Sequence, residues 1–429
     1  MTPSSTPESL PCLALMYTPR ETFLFDLLEA GADLWTTVCI VDQVVAEVPR
    51  QTMRVLPRMA TVVDITGLSL AEAADRISQY RPAGILALDD GRLEATAAIA
   101  ELLGLRFHSR DTVDVLTNKT AQRQAFAQSG MPVPRFWPVS AETPRAERDR
   151  IIDSVRLPAI VKPQVGVGSR NTATAASRDE LARLVDDFLP RESSGLVVEE
   201  FIPDGWRRDE KPVADYVSVE SVVSDGTIRH IMVTGNFPLT EPFRESGHIV
   251  PAEVTPDQRT QILECASAAI SAVHIEVGAV HTEIKLSPEG PRVIEVNGRI
   301  AGLHIPQLVQ QAAGVSLFRL AGLAALGMPL DLPAEISCSQ SAYVLVSHAP
   351  VNALAVRETR GTQDVAKLPG VRGVFLNREA GESVDWREGT DGFVWMVEGT
   401  APDDVSLHDI VLQIKETITV DFVLAEPTT

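Results

Sequence analysis

The sequence predicts a multidomain chain of mixed class, with a parallel α/β unit first, two mixed units after it and a small α+β unit last. Three observations carry that prediction. Residues 11–115 alternate strand-like and helix-like segments, the rhythm of a parallel sheet covered on both faces. Residues 116–330 pair strand-like runs around turn signals, with helical runs between them. A length of 429 residues accommodates on the order of two to four domains.

The first unit, 1–115, begins with "CLALMY", a buried strand, then "TFLFDLLEAGA", a helix closed by Gly31, then the strand "LWTTVCIVD". "SLAEAADRISQYRP" is a helix with Pro82 after it, "AGILALDD" a strand and "RLEATAAIAELLGL" a helix. The first strand runs into "TPRE", so the G-x-G-x-x-G dinucleotide fingerprint is missing. Asp89 and Asp90 fall at the carboxyl end of a strand, where open α/β sheets bind ligands. Asp90-Gly91 is equally an ordinary turn pair.

The second unit, 116–203, opens with a helix from about Lys119 that stops at Gly130 and Pro132. "LPAIVKPQVGVGSRNTATAA" reads as strand, glycine-rich loop and strand. "SRDELARLVDDFL" is a helix with Ser177 as N-cap and Glu180 at the capping-box position, and "GLVVEEFI" is a strand. The third unit, 204–330, has a hairpin about Asp225-Gly226, then a helix capped by Thr255 with Pro256 first and Gln258 closing a box. An apolar helical run, "IPQLVQQAAGVSLFRLAGLAALG", ends it. The tail, 331–429, shows short strands, the turn signal "REGTDG" and a late helix.

Composition narrows the function. Hydrophobic residues make up 45% and charged residues 22%, an ordinary globular balance. A net charge of −20 argues against a nucleic-acid partner, which needs clustered Lys and Arg. It leaves room for a nucleotide held by a local basic pocket and a divalent cation. The four cysteines are widely spaced with no C-x-x-C pair, so reduced thiols are expected. No basic leader precedes the first short apolar run, and no apolar stretch reaches the length of a membrane span. Cytoplasmic residence, with no membrane partner, is the expectation.

The chemistry concentrates in "GAVHTEIKLSPEGPRVIEVNGRIAG", residues 278–302. Folded as a hairpin about Glu289, it sets Glu283 opposite Glu295. Asn297 and Arg299 follow at two-residue steps on the same face. Opposed carboxylates are unfavourable unless a cation lies between them, and carboxylate and amide oxygens suit Mg²⁺. Arg299 can hold a phosphate or carboxylate. On these residues alone, the alternative is a surface hairpin with two solvated glutamates. His281 and Lys285 share the strand face of Glu283 and can line a nucleotide site. In "QVGVGSRN", Gly166 and Gly168 allow close backbone approach to phosphates, with the Ser169 hydroxyl and Lys162 beside them. This is no Walker A loop, and taken alone a plain turn explains it.

The order of these motifs resembles the ATP-grasp superfamily over roughly residues 115–305. The resemblance implies that Lys119 in "TNKTAQR" and Lys162 in "AIVKP" contact the nucleotide. It implies that "VGVGS" closes over the phosphates, and that main-chain groups of Glu200, Phe201 and Ile202 in "VVEEFI" meet adenine. Glu199 would contact the base or its ribose side, and Glu283, Glu295 and Asn297 would hold the metal, Mg²⁺ or Mn²⁺. The implied architecture is an ATP-grasp fold with an N-terminal parallel α/β domain and a small C-terminal α+β domain.

Within the superfamily the chain is similar to L-amino acid ligases. "FRESGHIVPAEVTPDQ" resembles their substrate loop, E-x-G-H-x-x-P-A, and "EVNGRIAGLHIPQLV" resembles their N-x-R-x-x-G-G-H-I-P element. Leu303 stands where many relatives have glycine. The resemblance implies ATP-dependent joining of one amino acid's carboxylate to another's amine through an acyl phosphate, on small amino-acid-like substrates, with a homodimer as one possible assembly. Arg299 would stabilise the acyl phosphate, Glu245 anchor an amino group, Arg244 meet a carboxylate, and His248 position a substrate or relay a proton. A ligase with a non-standard acyl donor and a non-catalytic ATP-binding module are the competing readings. A biotin-dependent carboxylase subunit fits poorly, since no M-K-M motif is present.

Overall fold

The structure is a computed structural model that describes residues 10–18, 23–44, 48–205, 213–330, 332–333 and 335–426. Residues 1–9 and 19–22 lie outside the described residues, so the expectation drawn from the N-terminal stretch 1–21 falls partly outside them.

Four parallel strands form the first sheet. Cys12–Met16 lies between Thr36–Val41 and Pro82–Ala87, with Thr61–Asp64 at the outer edge. Neighbouring residues of a strand point to opposite faces, and both faces are covered. Leu13, Leu15 and Leu86 enter one core, and Ala14, Met16 and Ile85 the other. Helices Leu70–Ser78 and Leu93–Leu103 close the second core. The first core is shared with the third unit, because Phe318, Ala321 and Ala325 of helix Leu317–Leu326 lie in it. Gly84 permits that approach: a Cβ there would sit 2.6 Å from the Ala325 carbonyl oxygen.

The second unit is an antiparallel sheet in the order Phe136–Val139, Leu196–Glu200, Ala159–Pro163, Ala173–Ala175. Helix Arg178–Phe188 seals it with Leu181, Val185 and Phe188. Ser177 caps this helix through Glu180 N, but the Glu180 carboxylate accepts from Ala176 N, so the expected reciprocal box is half formed.

An eight-stranded sheet dominates the rest. Its order is Gly290–Asn297, Gly278–Ser287, Tyr216–Ser224, Thr227–Asn236, Gly247–Val250, Ser341–His348, Phe393–Ala401, Val371–Leu376. The boundary expected at 330 therefore falls within one continuous sheet. Gly247–Val250 and most of Ser341–His348 are buried, so their backbone groups need hydrogen-bonding partners, and they find one another. The tail also adds a two-stranded sheet, Ala353–Arg360 with Thr419–Leu424, and helix Asp404–Thr417 over a separate core.

The apolar run 305–326 is two helices, Ile305–Ala313 and Leu317–Leu326, turned by 104°. Gly314, at φ 70°, ends the first. Among the described residues no single helix is long and apolar enough to cross a membrane. The bent pair passes that test only as a pair, and its apolar residues are buried in the fold.

The hairpin of strands Gly278–Ser287 and Gly290–Asn297 has the register expected from sequence: Glu283 pairs with Glu295 and His281 with Asn297. Tyr216–Ser224 lies on its other side, placing Glu220 opposite His281 and Ser218 opposite Glu283.

Candidate active site

One cleft is lined by the first sheet's carboxyl end, the second unit, the hairpin and the tail. Lys119, Lys162, Gly166, Gly168, Ser169, Glu199, Glu200, Phe201 and Ile202 line it on the nucleotide side expected from sequence. Glu245, His248, His281, Glu283, Glu295 and Arg299 line it as well. Arg244 and Asn297 do not line it.

Lys119 sits at the start of helix Lys119–Gln128, which Asn118 caps through the amides of Thr120 and Ala121. Its ammonium donates to Glu295 Oε1 at 2.8 Å and to the Gly166 carbonyl at 2.7 Å. The glycine loop turns through φ +63° at Gly168 and φ +56° at Ser169, a conformation glycine takes freely and serine seldom.

Lys162 and Glu199 sit on neighbouring antiparallel strands, with Lys162 Nζ 2.9 Å from Glu199 Oε2. Arg123, one helical turn after Lys119, grips the same carboxylate from Nε at 2.9 Å and Nη2 at 3.1 Å. Burial works to raise the Glu199 pKa, but the Arg123 and Lys162 cations outweigh it and pull it down to about 2. With both oxygens engaged by cations, Glu199 holds Lys162 in place, so the contact expected with the base or its ribose side would fall on a carboxylate that is already paired. Arg123 was not singled out from sequence; its spacing of four from Lys119 was the available signal.

The amides of Glu200 and Phe201 donate to the Arg135 and Pro158 carbonyls, at 3.0 and 3.1 Å. Of the hinge main-chain groups expected to meet adenine, the N–H groups of Glu200 and Phe201 are thus taken by main chain. Lys285 stands 5.7 Å from the Phe201 ring and is ion-paired with Asp204.

Behind the metal-type carboxylates lies a relay of alternating charge. His281 Nδ1 is 3.0 Å from Glu220 Oε2, and its Nε2 is 3.7 Å from Glu283 Oε1. Burial disfavours the imidazolium, but Glu220 and then Glu283 outweigh it and lift the His281 pKa to about 10. His281 is therefore a fixed cation tying two glutamates, not an open nucleotide contact. Burial works to raise the Glu283 pKa, and His281, Lys119 and Arg299 nonetheless hold it below the ordinary range. Glu245 goes the other way: burial and the Glu283 charge push it up to about 7.

Glu283 and Glu295 supply oxygen donors across one strand pair, and Glu245 lines the same cleft. That donor set fits Mg²⁺, which takes one or two carboxylates and completes its shell with phosphate and water. Among the described residues no three His, Cys, Asp or Glu side chains form a metal cage. Asn297 is buried opposite His281, two pairs further along and so on the same face.

At the other end, Arg299 Nε donates to Asp90 Oδ2 at 2.6 Å. The acidic strand end of the first unit thus anchors the hairpin's arginine, and Asp90 is more than a turn residue. His248 is held by Asn236. Asn236 donates its amide to the Tyr216 carbonyl at 3.2 Å, so its Oδ1 accepts from His248 Nδ1 at 2.6 Å. Burial, reinforced by the His281 charge, lowers the His248 pKa to about 3. The ring is neutral near pH 7 with its Nε2 lone pair available.

The expected carboxylate contact of Arg244 is not met. Its guanidinium is buried and donates to the Ala349 carbonyl at 2.7 Å and to the Glu241 carbonyl. It braces the loop that carries Glu245. Sequence reasoning also passed over Tyr216 and Thr390. Tyr216 shares the strand face of Ser218 and Glu220, lines the cleft, and has a buried hydroxyl with no hydrogen-bond partner among the described residues.

Residues 155–307, which span the glycine loop, the hinge strand and the hairpin, match the ATP-grasp domain family. This chain carries an ATP-grasp domain. The fold around the ATP-grasp domain is also shared: the L-amino acid ligase from Bacillus licheniformis superposes with a TM-score of 0.76 at 20% identity, covering 97% of this chain and all of that one. Among curated proteins, an uncharacterized protein of Sinorhizobium fredii, y4rH, is 27% identical over 363 residues, 83% of this chain and 72% of its own. The alanine–anticapsin ligase of Bacillus subtilis is 27% identical over 271 residues, 59% of this chain. The chain spans about half the length of that ligase, 56%.

Proposed function

We propose that this protein is an ATP-dependent ligase that joins the carboxylate of one amino acid, or a related acid, to the amine of another, releasing ADP and phosphate. The observation that supports it most is one cleft lined by Lys119, Lys162 and the glycine loop, by the opposed Glu283 and Glu295, and by Arg299.

In this reading Lys119, Lys162 and the glycine-loop amides hold the ATP phosphates in line. Glu283 and Glu295 hold Mg²⁺ or Mn²⁺, with Asn297 behind them; the ion supplies charge neutralisation at the phosphate oxygens when bound. The substrate carboxylate attacks the γ-phosphorus and ADP leaves. The amine then attacks the acyl carbon, phosphate departs, and the nitrogen loses a proton. His248, whose neutral ring lines the cleft, positions the substrate or relays that proton. Arg299, oriented by Asp90, offsets the charge of the acyl phosphate and its tetrahedral adduct. Glu245 anchors the incoming amino group. The hinge meets adenine through Ile202 and carbonyl oxygens, since two hinge amides are already engaged.

The test is release of ADP and phosphate from Mg-ATP against a panel of single amino acids and pairs, with product masses. Turnover that requires a pair and yields a dipeptide mass is expected. Release of AMP and pyrophosphate overturns the acyl-phosphate route.

A further inference from the structure

The turn Trp386–Gly392 enters the cleft from the tail, outside the residues that match the ATP-grasp family. Thr390 at its tip is buried and lines the cleft. The Thr390 amide donates to the Gly168 carbonyl at 2.8 Å. The Thr390 hydroxyl accepts from the Glu245 amide at 3.2 Å. One residue thus grips the glycine loop with its main chain and the Glu245 loop with its side chain.

The residue before it is shaped for that contact. Gly389 has φ 70° and ψ −142°, a combination that only glycine takes without strain. A Cβ there would lie 2.0 Å from the Gly168 carbonyl oxygen and 2.8 Å from the Arg170 amide nitrogen. The turn is anchored on both sides. The Trp386 ring lies 6.2 Å from that of Phe188, tilted by 54°, and Arg387 Nη2 is 3.3 Å from Asp187 Oδ2, both on the helix of the glycine-loop unit. On the tail side, Asn377 donates to the Asp391 carbonyl at 3.1 Å.

We propose that this turn is a clasp, with Thr390 its positioning residue, that couples the nucleotide loop around Gly168 to the substrate loop around Glu245. The nucleotide half rests on the ATP-grasp domain; only the name of the second loop rests on the ligase reading. Ordering one loop restricts the other through two hydrogen bonds made by a single residue. A ligand that fixes Gly168 therefore lowers the entropic cost of ordering Glu245, and linkage makes the effect reciprocal.

The experiment is hydrogen exchange on the full chain with and without AMP-PNP and Mg²⁺, read at residues 165–170 and 241–248. In the wild type the analogue slows exchange in both segments. Thr390→Val keeps the shape and removes the hydroxyl. It should keep protection at 165–170 and lose about tenfold of it at 241–248, the worth of one hydrogen bond. Thr390→Ser should restore it to within about twofold. Gly389→Ala should raise the analogue's Kd at least about tenfold, because the added methyl displaces the Gly168 carbonyl. Should Gly389→Ala not fold, the Val and Ser pair carries the test. In turnover, Thr390→Val should raise the KM of the second substrate more than it lowers kcat. Equal protection of 241–248 in wild type and Thr390→Val, or none in the wild type, overturns the clasp. Failure of the ligase reading shows separately, as absence of amino-acid-dependent ADP release by the wild type.

Discussion

Lys119 Nζ lies 2.8 Å from Glu295 Oε1, although 176 residues separate them in sequence. The same ammonium is 2.7 Å from the Gly166 carbonyl. One cation therefore ties the first nucleotide lysine, the glycine loop and one of the two opposed carboxylates. In the proposed function, this contact joins the phosphate end of the site to its metal end.

Glu295→Gln should lower ADP formation at least about a hundredfold, because it removes a metal-type oxygen and the partner of Lys119. The pair is partly exposed, so the melting temperature should move by no more than about 3 °C. Chelation with EDTA should abolish turnover of the wild type, and added Mg²⁺ should restore it. An active Glu295→Gln enzyme would remove the metal assignment.

Arg299 and Asp90 form the second test. Lysine cannot reproduce a planar guanidinium held by a carboxylate, so Arg299→Lys should cost on the order of a hundredfold in product formation. AMP-PNP affinity should change less than about threefold. Asp90→Asn keeps the shape and weakens the orientation of Arg299, with an expected loss of about tenfold. Steady-state ligation beside calorimetric titration of the analogue separates the two effects. Equal losses in both readouts would place Arg299 in nucleotide binding instead.

Acid stability follows from Glu199. Its ordinary pKa is 4.5, and the Arg123 and Lys162 cations hold it at about 2 in the folded protein. A carboxyl lowered on folding binds fewer protons folded than unfolded, so its contribution is present above about 4.5 and is lost as pH falls toward 2. Glu199→Gln should flatten the pH dependence of the urea midpoint in that window. It should also destabilise the protein at pH 7, since Arg123 and Lys162 are left buried without their anion. A variant with the wild-type slope between pH 4.5 and 2 would contradict this.

Leu303 holds φ +41°, an uncommon conformation for a branched side chain, and lines the cleft beside the residues that follow Arg299. His304, also left-handed at φ +60°, is fixed by Glu398 at 2.8 Å. Leu303→Gly should enlarge the substrate end and shift the ratio of kcat/KM toward bulkier amino acids by about tenfold or more. A substrate panel with unchanged rank order would show that Leu303 does not set pocket size.

The hairpin register was legible because two short-range signals agreed. A Pro-Glu-Gly turn set the fold-back point, and the two-residue period set which side chains share a face. The helix start at Pro256 was legible for the same reason, since Thr255 caps within three residues. The partners of the site residues were not. Glu199 meets Arg123 across 76 residues and Arg299 meets Asp90 across 209. Arg244 was expected to face substrate because its loop resembles the ligases' substrate loop, yet its guanidinium finds buried carbonyls that a sequence does not display.

The order of the chain thus determined the elements, the opposed glutamates and the glycine loop, because periodicity, caps and turns act over a few residues, and the order of its motifs carried the resemblance to the ATP-grasp superfamily. Tertiary structure alone decided what each charge does. It made Glu199 an anchor for two cations and His281 a cation between two glutamates. It ran one sheet through the expected boundary at 330 and brought Thr390 to Gly168. Those outcomes depend on desolvation and long-range pairing, which arise only when segments far apart in sequence are packed together.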